Sequence, residues 1–267
     1  MRVSGKGLIN REKTLNFKFD GHNYKGFEGD TVASALLASG KKVFGRSFKY
    51  HRPRGVLTAG SEEPNALITV GQGAFQDPNI RATTQEIFEG LVTKSQNNWP
   101  NLQYDILSIN DLFSNFLGAG FYYKTFMWPK SFWEKIYEPF IRRAAGLGAL
   151  SGLHNSDTYE KAYAFCDLLI IGGGPSGLIA AKIAAEAGLD VILAEQDPIF
   201  GGRLNSETEK VDGISGSDWA VKIIEELKEL DNVRLFLRTT VTGVYDQGTF
   251  AAVAVSYTHL RAHETPC

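Results

Sequence analysis

Asp167-Leu168-Leu169-Ile170-Ile171-Gly172-Gly173-Gly174-Pro175-Ser176-Gly177 decides how the second half of this chain is read. The apolar run is short enough for a buried parallel strand, and it passes directly into a G-x-G-x-x-G turn. Leu178, Ala181, Ala184 and Ala185 then recur at helical spacing, Gly188 closes the helix, and Val191-Ile192-Leu193-Ala194 reads as a second strand ending at Glu195. The unit is β-α-β. Gly172 permits the tight turn out of the strand, Gly174 removes the Cβ from the path of a pyrophosphate, and Gly177 lets helix and sheet pack closely. The helix N-terminus, with unpaired N–H groups and the positive end of its dipole, then faces the anion. Glu195 stands near the distance at which a carboxylate accepts hydrogen bonds from the adenosine ribose, which disfavours a 2′-phosphate. The pattern predicts a bound dinucleotide. It leaves open a nicotinamide or a flavin, since both present the same adenosine diphosphate end.

C-terminal to this unit, Gly201-Gly202-Arg203-Leu204 reads as another close backbone approach, with Arg203 in reach of a phosphate or the adenine; a surface turn with a solvated arginine is the plain alternative. Trp219, Ile223, Ile224 and Leu227 space as one helix face. Arg234–Leu237 and Thr240–Tyr245 read as further strands of the nucleotide sheet.

N-terminal to it, Leu15, Phe17 and Phe19 alternate with Asn16 and Lys18, and Asp20-Gly21 supplies a hairpin turn. Asp30 is expected to cap a helix running to Leu37 on an apolar face of Val32, Ala35 and Leu36, with Gly40 ending it. With the strand-like Ala66–Val70, this predicts a compact α+β module over residues 1–95.

Thirteen aromatics lie between Trp99 and Phe140: Trp99, Tyr104, Phe113, Phe116, Phe121, Tyr122, Tyr123, Phe126, Trp128, Phe132, Trp133, Tyr137 and Phe140. So much apolar surface is expected to pack on something, because each buried ring contributes about 2–3 kcal/mol and exposed rings invite association. Residues 96–160 are therefore read as a connector wedged between two domains, or as a docking surface for another chain.

The 267 residues suit two globular units, and 43% hydrophobic with 22% charged residues excludes a disordered or fibrous chain. No apolar run is long enough for a membrane span and no apolar signal segment follows Met1, so a cytoplasmic protein with no membrane partner is expected. Two cysteines, Cys166 and Cys267, are too few for four-thiolate iron–sulfur chemistry; Cys166, ahead of its strand, is read as packed. The net charge of −2 hides an asymmetry, +5 through residue 95 and −7 beyond. Lys41, Lys42, Arg46, Lys49, Arg52 and Arg54 form a basic strip interleaved with Phe44, Phe48, Tyr50 and His51. Single-stranded nucleic acid could be gripped so. A mildly acidic chain instead predicts no nucleic acid, and a subunit interface or an anionic cofactor tail for the strip.

Four runs carry a family likeness: Phe48-Lys49-Tyr50-His51-Arg52-Pro53-Arg54-Gly55, Ala59-Gly60-Ser61-Glu62-Glu63-Pro64-Asn65-Ala66-Leu67, Gly120-Phe121-Tyr122-Tyr123-Lys124-Thr125-Phe126 and the Gly172 turn. Together they resemble the alpha-subunit family of heterotetrameric sarcosine oxidases, from Gly5 to about Val255. The resemblance implies an α+β ferredoxin-like domain without a cluster, then an incomplete α/β Rossmann-type domain over 161–255 that holds NAD. Such complexes demethylate sarcosine oxidatively to glycine, with hydrogen peroxide and, from tetrahydrofolate, methylenetetrahydrofolate. FAD and FMN lie mainly on the beta subunit, NAD is structural or regulatory, and the partners are beta, gamma and delta subunits. Related opine-oxidising and cyanide-forming subunits share the N-terminal pattern but carry clustered cysteines there; this chain has Val43, Phe44, Ser47 and Thr58 in that neighbourhood and no thiol, which favours the cluster-free branch. By position the NAD contacts are Gly172, Gly174, Pro175, Ser176, Gly177, Glu195, Gln196, Gly202, Arg203 and Val241.

Alpha subunits of that family are several times longer, so the chain is expected to be an N-terminal piece, inactive alone. Residues 256–267 read as translated sequencing-adapter sequence. His259, His263, Glu264 and Cys267 there mimic metal ligands but lack the acid between the histidines that a zinc protease needs. No metal site and no nucleophile–base pair is expected, and His22, His51 and His154 read as isolated. Two other readings stay open: an FAD-binding subunit of an amine or opine oxidoreductase, and a non-catalytic assembly module.

Overall fold

The computed structural model describes residues 2–3, 7–122, 126, 128–146, 148–156 and 158–254. The adapter-like tail and its histidines lie outside the described residues, as do Tyr123, Lys124 and Thr125. The chain divides into two units between Thr158 and Tyr159.

In the first unit, β1 (Asn10–Phe19) and β2 (His22–Glu28) form the expected hairpin. Asp20 and Gly21 both have positive φ, the conformation that lets a two-residue turn follow the strand twist. Phe17 and Phe19 are buried while Asn16 and Lys18 face out. Helix α1 (Val32–Ala38) buries Val32, Ala33, Ala35 and Leu36, and Gly40 follows at φ +84°. Strands β3 (Leu67–Val70), β4 (Asp77–Arg81) and β5 (Val92–Ser95) complete a five-stranded sheet in the order β2-β1-β5-β3-β4. Its one parallel pair joins β1 to β5. Phe44, Ala66, Ile68 and Leu91 fill the core beside the two phenylalanines.

The helix cap corrects the sequence expectation. Thr31 is the N-cap, and its side chain and that of Ser34 exchange hydrogen bonds with each other's backbone N–H. Asp30 is instead fully buried, accepting from Phe27 N, Ser34 Oγ and the Arg2 guanidinium. A carboxylate with three local partners is drawn away from the helix end.

The aromatic segment is built of short turns, among them Ile106–Asp111, that lead into α2 (Glu138–Ala145). Tyr122 stacks on Trp133, and Phe126 and Phe132 meet Tyr137. Yet Trp99, Tyr104, Phe113, Phe116, Trp128, Phe132 and Phe140 are all exposed. Ring-on-ring contact within the segment does not supply the burial its composition calls for.

The basic strip is engaged within its own unit. Arg46 donates to the Leu102 and His51 carbonyls, Arg52 pairs with Asp111 at 2.7 Å, and Lys49 lies over the rings of Tyr50 and Phe121. His51 is not isolated: it is 1% exposed, with Nδ1 at 2.7 Å from Asp105 Oδ2, and Arg46 Nε is 3.5 Å from the same oxygen. Asp105 Oδ1 accepts from Trp99 N. This buried cluster clips the loop at 46–54 to the start of the aromatic segment.

In the second unit, β6 (Leu168–Ile171), β7 (Val191–Ala194) and β8 (Val233–Phe236) form a parallel sheet in the order β8-β7-β6. Helix α3 (Pro175–Glu186) joins the first two strands and α4 (Gly216–Lys228) leads to the third. Leu178, Ala181, Ala184 and Ala185 of α3 pack with Trp219, Ile223 and Leu227 of α4 and with Val191 and Leu193. Small residues on α3 let the helices approach, and Lys182 pairs with Glu226 across them at 2.6 Å.

Thr240–Tyr245 does not join this sheet. It lies in β9 (Thr239–Tyr245), which pairs antiparallel with β10 (Thr249–Ala254) as a separate hairpin. Gln247 and Gly248, both at positive φ, turn the chain back between the two strands of the hairpin. Among the described residues no helix is long and apolar enough to cross a membrane.

Candidate functional site

The site is built where β6 hands over to α3. Gly172 leaves the strand at φ +101°, a value a side chain rarely tolerates. A Cβ on Gly177 would overlap the Gly172 carbonyl oxygen, so the first helical turn sits directly on the turn before it. Gly174 is different in kind. It is the N-cap of α3 at φ −74° and ψ −175°, conformationally open to any residue, and a Cβ there would meet nothing within 4 Å. Its glycine therefore answers no need of the fold and leaves a clear approach to the backbone. Pro175 occupies the first helical position, and no side chain caps the helix. The first-turn N–H groups of Ser176 and Gly177 have no carbonyl of their own helix to bond. Pro175 and Ser176 are exposed at this mouth.

Glu195 follows β7 and is 7% exposed. One carboxylate oxygen accepts from Gly173 N at 2.6 Å and the other from Asp197 N at 2.9 Å. The carboxylate is thus fixed against the glycine turn with lone pairs to spare for hydroxyl donors. Thr239 N donates to the Glu195 carbonyl at 2.8 Å, tying the start of β9 to the same place. Burial pushes the Asp197 carboxyl up, and the neighbouring Glu195 charge adds to this.

Gly201 and Gly202 lie beside the first glycine turn. Gly201 N donates to the Gly173 carbonyl at 2.8 Å, and a Cβ on Gly202 would lie 3.2 Å from Gly174 Cα. The structure therefore brings together Gly172, Gly174, Gly177, Glu195 and Gly202. Arg203 is exposed at the edge, with its guanidinium on Glu207 at 2.7 Å, and Gln196 is exposed beside Glu195. Val241 lies half-buried on β9, in the hairpin.

Two contributors escaped the sequence reading. Gly173 is required because a Cβ there would overlap the Phe200 ring, and Phe200, buried itself, floors the turn. The middle glycine of the run, at a position the G-x-G-x-x-G pattern leaves open, was the available signal for Gly173. For Phe200 there was none. Cys166 is partly buried, and burial pushes its thiol up, away from the reactive thiolate. Among the described residues no group of three or more His, Cys, Asp or Glu side chains is placed to hold a metal ion.

An adenosine diphosphate end fits what is present: an open Cβ direction, an uncapped helix start and a held carboxylate beside them. A four-thiolate cluster does not fit the first unit, which contains no cysteine.

Comparison with known proteins matches a family to each unit. Residues 12–98 match a family described as a 2Fe-2S iron-sulfur cluster binding domain, and residues 170–240 an NAD(P)-binding Rossmann-like domain. Sarcosine oxidase subunit alpha of Rhizobium meliloti is 55% identical over 260 residues, 97% of this chain and 26% of that protein. The subunit alpha of Corynebacterium sp. (strain U-96) is 32% identical over 94% of this chain and 22% of that protein. The crystal structure of L-proline dehydrogenase from P. horikoshii shares the fold with a TM-score of 0.53 and 18% identity, covering 91% of this chain and 38% of that one. The chain spans about a quarter of the length of the curated relatives it matches. Along nearly its whole length, this chain is homologous to part of the sarcosine oxidase alpha subunits.

Proposed function

We propose that this chain is the dinucleotide-binding part of an alpha subunit in a sarcosine oxidase complex, and that the dinucleotide is NAD. The observation that carries the reading is Gly174: the one glycine of the turn that neither φ nor packing requires faces open space at the helix mouth. The diphosphate rests on the first-turn N–H groups, and Gly172, Gly177 and Gly202 hold the backbone close. Glu195 accepts from the ribose hydroxyls, and its charge repels a 2′-phosphate. Pro175, Ser176, Gln196, Arg203 and Val241 complete the lining. Bound there, NAD acts as a structural or regulatory group.

The complex transfers two electrons from the N-methyl group of sarcosine to oxygen, giving hydrogen peroxide and glycine. The methyl carbon passes to tetrahydrofolate as methylenetetrahydrofolate. FAD and FMN supply the redox chemistry, mainly on the beta subunit, with gamma and delta completing the heterotetramer in the cytoplasm. The domain over residues 1–95 works without a cluster, and the exposed rings of residues 96–160 suit a chain that assembles with others. The test is the absorbance and extracted nucleotide of the purified chain. NAD at about one per chain and no band near 450 nm is expected; a stoichiometric flavin spectrum on this chain alone overturns the NAD assignment in favour of an FAD-binding subunit.

A further inference from the structure

Plant-type loops hold a two-iron cluster with cysteines spaced C-x4-C-x2-C. Within the span that matches the cluster-binding family, the same spacing falls on Thr58, Glu63 and Ala66. None offers a thiolate, but the middle position carries a negative charge. Glu63 is 1% exposed, and its carboxylate accepts four main-chain hydrogen bonds. Leu57 N and Thr58 N donate to Oε2, each at 2.7 Å. Asn65 N at 2.6 Å and Ala66 N at 3.0 Å donate to Oε1. Two of those donors belong to the first and third positions of the spacing. The Ala66 carbonyl accepts from Ala82 N at 2.8 Å, which sets a further fully buried alanine against the end of the loop. At the first position Thr58 Oγ1 is buried with no hydrogen-bond partner.

Concave runs of main-chain N–H groups are anion sites, and iron–sulfur clusters are among the anions they take. Here the chain fills the concavity itself. Burial alone pushes the Glu63 carboxyl up, but the N–H groups of Thr58, Asn65, Leu57 and Ala66 reverse this and hold it below its ordinary value.

We propose that the 57–66 loop is a cradle of the cluster-binding kind whose resident anion is the Glu63 carboxylate, so that a side chain completes the domain where a metal centre otherwise would. The proposal rests on the cluster-free reading of this domain and not on the dinucleotide reading.

The test is thermal unfolding of the full chain as Glu63→Gln, with Glu62→Gln as the exposed control. Glu63→Gln keeps the shape but turns an amide against N–H donors, and is expected to lower Tm by about 10 °C at pH 7. The folded pKa is depressed, so the stabilisation is full above the ordinary carboxylate value and is lost as pH falls through the folded pKa. The gap between wild type and variant therefore narrows on acidification. A Glu63→Gln chain as stable as wild type at pH 7 overturns the proposal. So does a Glu63 carboxyl found neutral at pH 7 by its 13C shift in the unaltered chain, a measurement that stands even if the variant fails to fold. Anaerobic addition of iron and sulfide separates the two readings. Uptake by the wild type overturns the cluster-free reading itself. About two irons per chain taken up only by the Thr58→Cys/Glu63→Cys/Ala66→Cys/Ala82→Cys variant supports the cradle, and no uptake by that variant, native or refolded, overturns it.

Discussion

Replacing Gly174 by valine is expected to separate binding from folding. The backbone there is extended, with φ −74° and ψ −175°, and the new side chain enters a space free of protein atoms within 4 Å. The cost to the fold is that of a poorer N-cap residue, about 0.5–1 kcal/mol, or a fall in Tm of no more than about 8 °C. The cost to binding is larger. A branched side chain on the approach lifts the diphosphate from the N–H groups of Ser176 and Gly177. Hydrogen bonds to charged groups contribute about 1.5–3 kcal/mol each. Losing two amounts to about 3–6 kcal/mol, and at a tenfold change per 1.4 kcal/mol, NAD affinity falls by roughly 10²–10⁴. Calorimetric titration with NAD reads the second number and circular dichroism melting the first. Gly177→Ala serves as the contrast: its Cβ meets the Gly172 carbonyl oxygen, so it is expected to destabilise the unit outright. Undiminished affinity in Gly174→Val would falsify the assignment of this mouth to the diphosphate.

Two further outcomes follow from the second unit. Glu195→Gln turns an amide group against the N–H of Gly173 or of Asp197, at a cost of about 1–3 kcal/mol. NAD binding is expected to weaken by roughly 10- to 100-fold, with affinity for NADP falling less; unchanged discrimination in paired titrations counts against Glu195 as the ribose reader. The raised Asp197 pKa has the opposite sign to that of Glu63. Its proton is held more tightly in the folded state, so its contribution is greatest below the ordinary carboxylate value and is lost as pH rises through the folded pKa. Asp197→Asn is expected to raise Tm at pH 7 and leave it unchanged near pH 3.5; the reverse order in pH-resolved melts rules this out.

What could be read from the sequence was what the local chain dictates. The β6–α3–β7 unit was legible because each step is enforced within a few residues: a glycine for φ at 172, one for packing at 177, a small-residue face at Leu178, Ala181, Ala184 and Ala185. Asp20-Gly21 was legible for the same reason. Misreadings arose where a distant or competing partner decided the outcome. Asp30 was taken from the helix cap by Phe27 N, Ser34 and Arg2. His51 meets Asp105 across 54 positions, a pairing no local pattern reports. Thr240–Tyr245 has the alternation of a strand, but alternation does not name its neighbour, which here is the strand that follows it across the Gln247-Gly248 turn. For the aromatic segment the sequence left two readings open, a connector or a docking surface, because composition measures how much apolar surface there is and not where it goes.

The bond from Gly201 N to the Gly173 carbonyl, with Gly202 so near that an added Cβ would lie 3.2 Å from Gly174 Cα, ties the two glycine turns together. For the dinucleotide proposed above, a mouth already tied in this way leaves little ordering entropy to be lost on binding. Arrival should then be quick and insensitive to changes in this rim, and variants such as Gly202→Ala should betray themselves in residence time.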